Sequence, residues 1–85
     1  MTLEDNRRDS TRHHLVAFGR HVRSLRESRG LSQEALAEAA GVHRAVIGFI
    51  ERAERDVGVS HLWPLARALD LPVGDLFPVE EQTGV

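Results

Sequence analysis

The chain contains no cysteine, no lysine and no tyrosine, and it has a single tryptophan. Without cysteine, disulfide bonds and thiolate metal sites are excluded. No apolar run is long enough for a membrane-spanning helix or a secretion signal, so we expect a cytoplasmic protein with no membrane partner. The five histidines lack the spacing of a zinc site, and no Ser/His/Asp arrangement or glycine-rich phosphate loop is present. We therefore predict no metal, no cofactor, no small-molecule ligand and no enzyme activity.

Neither sign of charge dominates, because 13 acidic residues against 11 arginines leave a formal net charge of −2. DNA-binding proteins are usually basic. The charge is nevertheless uneven: residues 1–30 carry seven arginines against four acids (+3), residues 31–59 three against five (−2), and residues 60–85 one against four (−3). This distribution predicts a dipolar molecule whose positive side meets phosphate. Arginine suits bidentate contacts to phosphate and guanine, although a GC-rich genome produces the same bias.

Residues 32–51 carry the strongest pattern, which is typical of a short helix, a tight turn and a second short helix. Ser32 is a good N-cap for the first helix, Gly41 supplies a left-handed turn, and His43 is the predicted cap of the second. The apolar residues fall where two crossed helices touch: Leu36, Ala37, Ala40, Val42, Ile47 and Ile50. Such a helix–turn–helix presents its second helix to the major groove of DNA. An ordinary helical hairpin in a small bundle is the alternative.

The outer face of the second helix is the predicted DNA-binding surface, since Ile47 and Ile50 turn inward. The predicted DNA-binding surface consists of the capping residue and of the residues on or near the outer face: His43, Arg44, Ala45, Gly48, Phe49 and Arg52.

The rest of the chain has room for one domain with a small core. Apolar residues at helical spacing, together with the turn signals, predict five helices at about 11–29, 33–40, 44–52, 61–69 and 73–77. We assign the DNA-binding domain to residues 11–78. Residues 1–10 and 79–85 are polar or lack periodicity, and we expect both segments to be flexible.

Four short motifs resemble the Cro/CI-type, or XRE-type, helix–turn–helix family over about residues 18–77. They are Leu-Arg at 25–26, Arg-Gly-Leu-Ser-Gln-Glu at 29–34, Ile-Glu-Arg at 50–52 and Leu-Ala-Arg-Ala-Leu at 65–69. The resemblance implies an all-α fold, a compact five-helix domain of the lambda-repressor-like DNA-binding type. The segments at 42–44, 50–52 and 54–57 are similar to restriction–modification controller proteins, which are small dimeric autoregulators.

The same resemblance implies roles for individual side chains. Gln33 would contact a phosphate and help to position the second helix, while Arg44, Ala45 and Phe49 would approach base edges. By the same resemblance, Arg26 and Glu51 would form an ion pair between helices, with a structural rather than a DNA-reading role. Two positions depart from the family pattern. Ala53 replaces a common glycine, so we expect an altered turn after the second helix. Pro64 lies inside the fourth helix, where an N-cap at Ser60 would keep it close enough to the first turn to be tolerated.

We predict a sequence-specific transcriptional regulator that binds double-stranded DNA as a homodimer. A dimer doubles the phosphate contacts and reads two half-sites about one helical turn apart. Apolar residues near the C-terminus either form the dimer interface or close the domain core: Trp63, Leu71, Val73, Leu76 and Phe77. The acidic C-terminal segment suggests an alternative, an antitoxin or other protein-interaction module built on the same fold.

Overall fold

The computed structural model describes residues 3–79, with side chains from residue 11 onward. Its elements are, in chain order, α1 (Leu3–Ser28), α2 (Gln33–Ala40), α3 (Arg44–Glu51), α4 (Val59–Ala68) and a 3₁₀ helix (Val73–Leu76). No strand occurs within residues 3–79, and the all-α fold class is confirmed. None of the helices described combines the length and the apolar composition needed to cross a membrane.

The first helix is longer than predicted, because α1 begins at Leu3 rather than near residue 11. Residues 3–10 contain neither the proline nor the glycine that would stop a helix. The predicted flexibility of residues 1–10 stays a prediction. Residues 1–2, and residues 80–85 of the predicted C-terminal tail, lie outside the described residues.

The predicted fifth helix at 73–77 is instead a four-residue 3₁₀ helix. Pro72 precedes it in an extended conformation (ψ 148°), and Phe77 follows it extended (ψ 134°). Four residues between two extended ones allow i→i+3 hydrogen bonds but no α-helical ladder.

The helix–turn–helix forms with the predicted caps. The Ser32 Oγ accepts a hydrogen bond from the Ala35 backbone N–H at 3.0 Å. Gly41 ends α2 in the left-handed region at φ 70°. The His43 Nδ1 accepts a hydrogen bond from the Ala45 backbone N–H at 3.0 Å at the start of α3. Each cap satisfies or redirects a backbone group that a helix end leaves unpaired.

One apolar core joins the helices, and α3 packs against both α1 and α2. Ala37 of α2 is buried in this core. The buried cluster consists of Phe18, Val22, Leu36, Ala37, Ala40, Ile47, Ile50, Leu65, Ala66, Leu69 and Leu76. The inward apolar residues predicted for α2 and α3 are all in it, except for Val42, which packs partly buried against its edge.

A glycine sets the distance between α1 and the end of α3. A Cβ at Gly19 would meet the backbone carbonyl oxygen of Ile50 well inside contact distance and that of Glu51 at 2.9 Å. No side chain fits there, so the crossing requires glycine. The backbone of α1 thereby closes over the C-terminal turn of α3.

The turn after α3 holds an alanine in a backbone conformation that favours glycine. Ala53 adopts the left-handed conformation at φ 54° and is buried. Its N–H donates to the Ile50 carbonyl at 3.1 Å, and the Glu54 N–H donates to the Phe49 carbonyl at 2.9 Å. The altered turn stays a prediction, and the left-handed conformation costs about 1 kcal/mol or more for a residue other than glycine.

The fourth helix begins earlier than predicted, which changes the position of its proline. Gly58 rather than Ser60 is the N-cap of α4, so Pro64 is the sixth helical residue. The prediction that Pro64 falls close to the first turn is wrong. The helix tolerates the loss of one internal N–H donor at this point.

Candidate nucleic-acid interface

The outer face of α3 lies opposite the buried Ile47 and Ile50, as predicted. Arg44, its first residue, is exposed, and Ala45 and Phe49 are half-buried. His43 is exposed at the N-terminal end of the helix, where its ring also serves as the cap. The core thus holds α3 through Ile47 and Ile50. We call the opposite side of the helix, which carries Arg44, Ala45 and Phe49, the open face.

A buried ion pair ties α1 to the end of α3. The Arg26 Nε donates to the Glu51 Oε2 at 2.7 Å, and the Arg26 Nη2 donates to the Glu51 Oε1 at 3.0 Å. The Glu51 side chain is 3% exposed. A third guanidinium nitrogen, Nη1, donates to the Leu31 carbonyl at 2.8 Å. This bidentate geometry is the strong form of an arginine–carboxylate contact.

The same carboxylate also holds Gln33. The Gln33 Nε2 donates to the Glu51 Oε1 at 3.1 Å, so three donors converge on one buried acid. The hydrogen bond to Glu51 raises the pKa of Arg26 above its usual value and outweighs the opposing effect of burial. Arg26 is therefore a permanent cation, and the network links α1, α2 and α3 at the edge of the open face.

Arg44 is also held by an acid. Its Nη1 donates to the Glu34 Oε1 at 2.6 Å, which bridges the first turn of α2 and the first residue of α3. The two side chains are 68% and 69% exposed. The pair lies on the open face and leaves the other nitrogens of Arg44 without a partner among the described residues.

Gly48 does not face solvent as predicted. It is buried because the guanidinium of Arg52 lies across it, 2.9 Å from the position that a Cβ would take. The Arg52 Nε and Nη2 are both 2.9 Å from the Glu54 Oε1, and this hydrogen bond raises the pKa of Arg52. Any contact between Gly48 and DNA would require Arg52 to move.

Residues 22–76 match the helix-turn-helix family HTH_3. The chain belongs to this family. HTH_3 proteins of the XRE type are DNA-binding transcription regulators rather than enzymes, and the predicted family resemblance is confirmed.

Three relatives indicate which members of the HTH_3 family this chain resembles. The control protein C.SmaI of Serratia marcescens is 52% identical over 56 residues, which cover 66% of this chain and 67% of the relative. The restriction-modification controller protein C.AhdI from Aeromonas hydrophila has a TM-score of 0.72 at 44% identity, over 74% of this chain and 96% of that one. SinR, a master regulator for biofilm formation solved in complex with DNA, has a TM-score of 0.66 at 30% identity, over 69% and 95%. These matches are consistent with the predicted controller branch.

The residues predicted for the dimer interface differ in exposure in this HTH_3 domain. Trp63 is 58% exposed and Phe77 is 47% exposed, whereas Leu71 and Val73 are half-buried. Leu76 is fully buried within the protomer. Leu76 therefore closes the core of the protomer, which is the other role predicted for these apolar residues.

Several arginines of α1 are committed to contacts within the protomer. Arg12 donates to the Ala53 carbonyl, Arg29 donates to the Leu69 carbonyl at 2.7 Å, and Arg23 pairs with Glu27 at 3.3 Å. Arg26 is buried with Glu51. Arg23 and Arg26 are thus paired with acids within the protomer, whereas Arg12 and Arg29 keep their net charge, and the count of charges alone does not reveal this difference.

Two residues that contact the outer face of α3 were not among those predicted from the sequence. Glu34 contacts Arg44, and the Arg55 guanidinium lies over the Phe49 ring, 4.3 Å from its centroid. An acid in the first turn of a helix is ordinarily explained by the helix dipole, so nothing marked Glu34 as a partner of Arg44. Arg55 lies six residues after Phe49 and beyond the end of α3, outside the helical spacing that relates side chains on one face.

Proposed function

We propose that this protein is a homodimeric, sequence-specific regulator of transcription that inserts α3 into the major groove of DNA. The observation that carries the proposal is the exposed Arg44 at the first position of α3, with Ile47 and Ile50 buried beneath the same helix. In helix–turn–helix proteins the N-terminal residues of the second helix contact base edges. Arg44 has the planar, forked donors that match guanine O6 and N7.

The flanking side chains suit the same docking. The Gln33 amide uses Nε2 on Glu51, and its oxygen and second N–H remain available to a phosphate and its hydration. Ala45 and Phe49 offer apolar surface to a thymine methyl group. Arg52 and Arg55 bring positive charge to the C-terminal end of α3. We therefore retain His43, Arg44, Ala45, Phe49, Arg52 and Gln33 as the proposed DNA-binding residues, with Gly48 beneath Arg52.

The similarity to control proteins suggests which DNA to test first. We propose that the protein acts in the cytoplasm on the promoter region of its own operon, as an autoregulator. The upstream DNA of its own gene is the first probe, and selection of bound duplexes from a random library supplies the preferred site. Binding to both DNAs is measured by a gel-shift assay at low salt. A folded sample that shifts neither DNA would contradict the proposal.

Replacing Arg44 by alanine is expected to weaken binding to the selected duplex by about 1–3 kcal/mol for each half-site, or about 5- to 150-fold per half-site. The base preference at one position of each half-site should relax, since a bidentate contact is lost. Fluorescence anisotropy with the selected duplex and its single-base variants measures both effects. Arg67→Ala, an exposed arginine on α4, removes the same charge and is the matched control. An equal loss on every duplex would show that Arg44 contacts only phosphate.

The homodimer is proposed to form through the exposed apolar surface that includes Trp63 and Phe77, with the half-buried Leu71 and Val73 at its margin. Phe77 also packs on Phe18 at 5.1 Å between ring centroids, so its truncation would disturb the core. Trp63 has no such role in the core, which makes it the better probe.

Trp63→Ala is expected to weaken dimerisation by about 2 kcal/mol or more, about 30-fold, because exposed tryptophans that become buried dominate interface energies. Sedimentation velocity over a concentration series measures the dissociation constant. Trp63→Phe keeps most of the apolar area and should retain the dimer. Trp63 is the only tryptophan, so its emission should shift to the red as the wild type is diluted. A wild type that remains monomeric at high concentration contradicts the homodimer.

A further inference from the structure

We propose that Glu34 is a positioning residue for DNA recognition, because it holds the Arg44 guanidinium in the orientation that reads a single base. This inference rests on the proposed function and extends it from the residue that contacts the base to the residue that aims it. Its basis is the 2.6 Å contact between the Glu34 Oε1 and the Arg44 Nη1 across the helix–turn–helix.

The contact is poorly explained as a device for folding. Both side chains are more than two-thirds exposed, and exposed ion pairs contribute little to stability. The elements it joins are already fixed by the caps at Ser32, Gly41 and His43 and by the buried core. Its effect falls on the position of the Arg44 side chain, which otherwise has many rotamers.

The contact with Glu34 leaves two nitrogens of Arg44 available to donate hydrogen bonds to a base. A guanidinium has five N–H donors in one rigid plane. Glu34 takes one donor on Nη1, and no described residue accepts a hydrogen bond from Nε or Nη2. Those two nitrogens form a fork that matches the O6 and N7 acceptors of guanine. By contrast, Arg52 has both Nε and Nη2 on the Glu54 Oε1, so its fork is occupied.

The same contact works against binding to DNA of the wrong sequence. Without a matching base, Arg44 would turn to a phosphate, and either the pair with Glu34 would break or the carboxylate would approach the phosphate. Both arrangements are unfavourable, since like charges repel and the ion pair is lost. A complex with the correct base keeps the pair and adds the base contact. Glu34 therefore raises discrimination between sequences more than it raises affinity.

The test compares Glu34→Ala and Glu34→Gln with Glu38→Ala, which removes an exposed acid one turn later on α2. Affinities are measured by anisotropy for the selected duplex and for a scrambled duplex of equal length at one salt concentration. Glu34→Ala should lower the ratio of the two affinities about tenfold relative to Glu38→Ala. Glu34→Gln keeps an amide oxygen that can accept from Arg44, so it should recover much of the ratio.

Two further measurements distinguish the positioning of Arg44 by Glu34 from a general effect of the negative charge of Glu34. In an Arg44→Ala background, Glu34→Ala should leave the ratio unchanged, because nothing remains to be aimed. Replacing the guanine that Arg44 contacts by 7-deazaguanine, which lacks N7, should cost the wild type more than it costs Glu34→Ala.

An equal change in both affinities, of either sign, would overturn the role of Glu34 and leave it as background charge. An effect of Glu34→Ala on the ratio of the two affinities that persists in the Arg44→Ala background would overturn it too. If Arg44→Ala itself had no effect on the selected duplex, the proposed function of Arg44 would fail instead, and the two failures are thus distinguishable.

Discussion

Replacing Glu51 by alanine is expected to destabilise the domain by about 3–5 kcal/mol, because it leaves Arg26 buried without its partner. The Arg26 side chain is 11% exposed and gives two of its nitrogens to Glu51. Gln33 loses its acceptor at the same time. Since a domain of this size is stable by only about 4–13 kcal/mol, the variant should lose a large part of its stability.

Urea unfolding followed by circular dichroism measures this loss, and the melting temperature should fall by about 12 °C or more. Glu54→Ala is the matched control, since Glu54 lies three residues later and pairs with the exposed Arg52. That variant should leave the free energy of unfolding close to the wild-type value, because exposed ion pairs contribute little to stability. Replacing both Arg26 and Glu51 by leucine should recover part of the loss, because no buried charge remains. A Glu51→Ala variant as stable as Glu54→Ala would refute the role of the buried pair.

Replacing Gly19 by alanine is expected to destabilise the domain by about 2–3 kcal/mol, although alanine favours the helix. The new methyl group would strike the carbonyl oxygens of Ile50 and Glu51, and backbone atoms cannot step aside as a flexible side chain can. Relief requires α1 and α3 to separate, which opens the core around Phe18 and Ile50. The free energy of unfolding from urea titration is again the measurement.

The control is the same substitution elsewhere in a helix interior. At Gly48 a Cβ would meet only the guanidinium of Arg52, the far end of a flexible chain. Gly48→Ala should therefore stabilise the protein by about 0.5–1 kcal/mol through helix propensity. Opposite signs for the two variants are the expected outcome. A Gly19→Ala variant at least as stable as the wild type would show that α1 does not cross α3 so closely.

The helix–turn–helix could be predicted because its determinants are local. Ser32, Gly41 and His43 act on backbone groups within a few residues, so their types alone indicate where α2 ends and α3 begins. Helix starts with weaker local signals were less predictable. Gly58 makes no side-chain cap, and the sequence of the first eight residues of α1, 3–10, has no apolar stripe.

Sequence by itself determined the family, the all-α fold, the inward residues of α3 and the candidate reading residue Arg44. Only the tertiary structure decided that Gly19 is a crossing point, that Leu76 closes the core and that Glu51 holds Gln33 as well as Arg26. It also decided that Arg44 is held by Glu34. The physical reason is distance along the chain: caps and helical stripes depend on neighbours within one or two turns. The contacts of Gly19, Glu51 and Glu34 instead depend on how helices cross, which places residues 10 to 32 positions apart within contact.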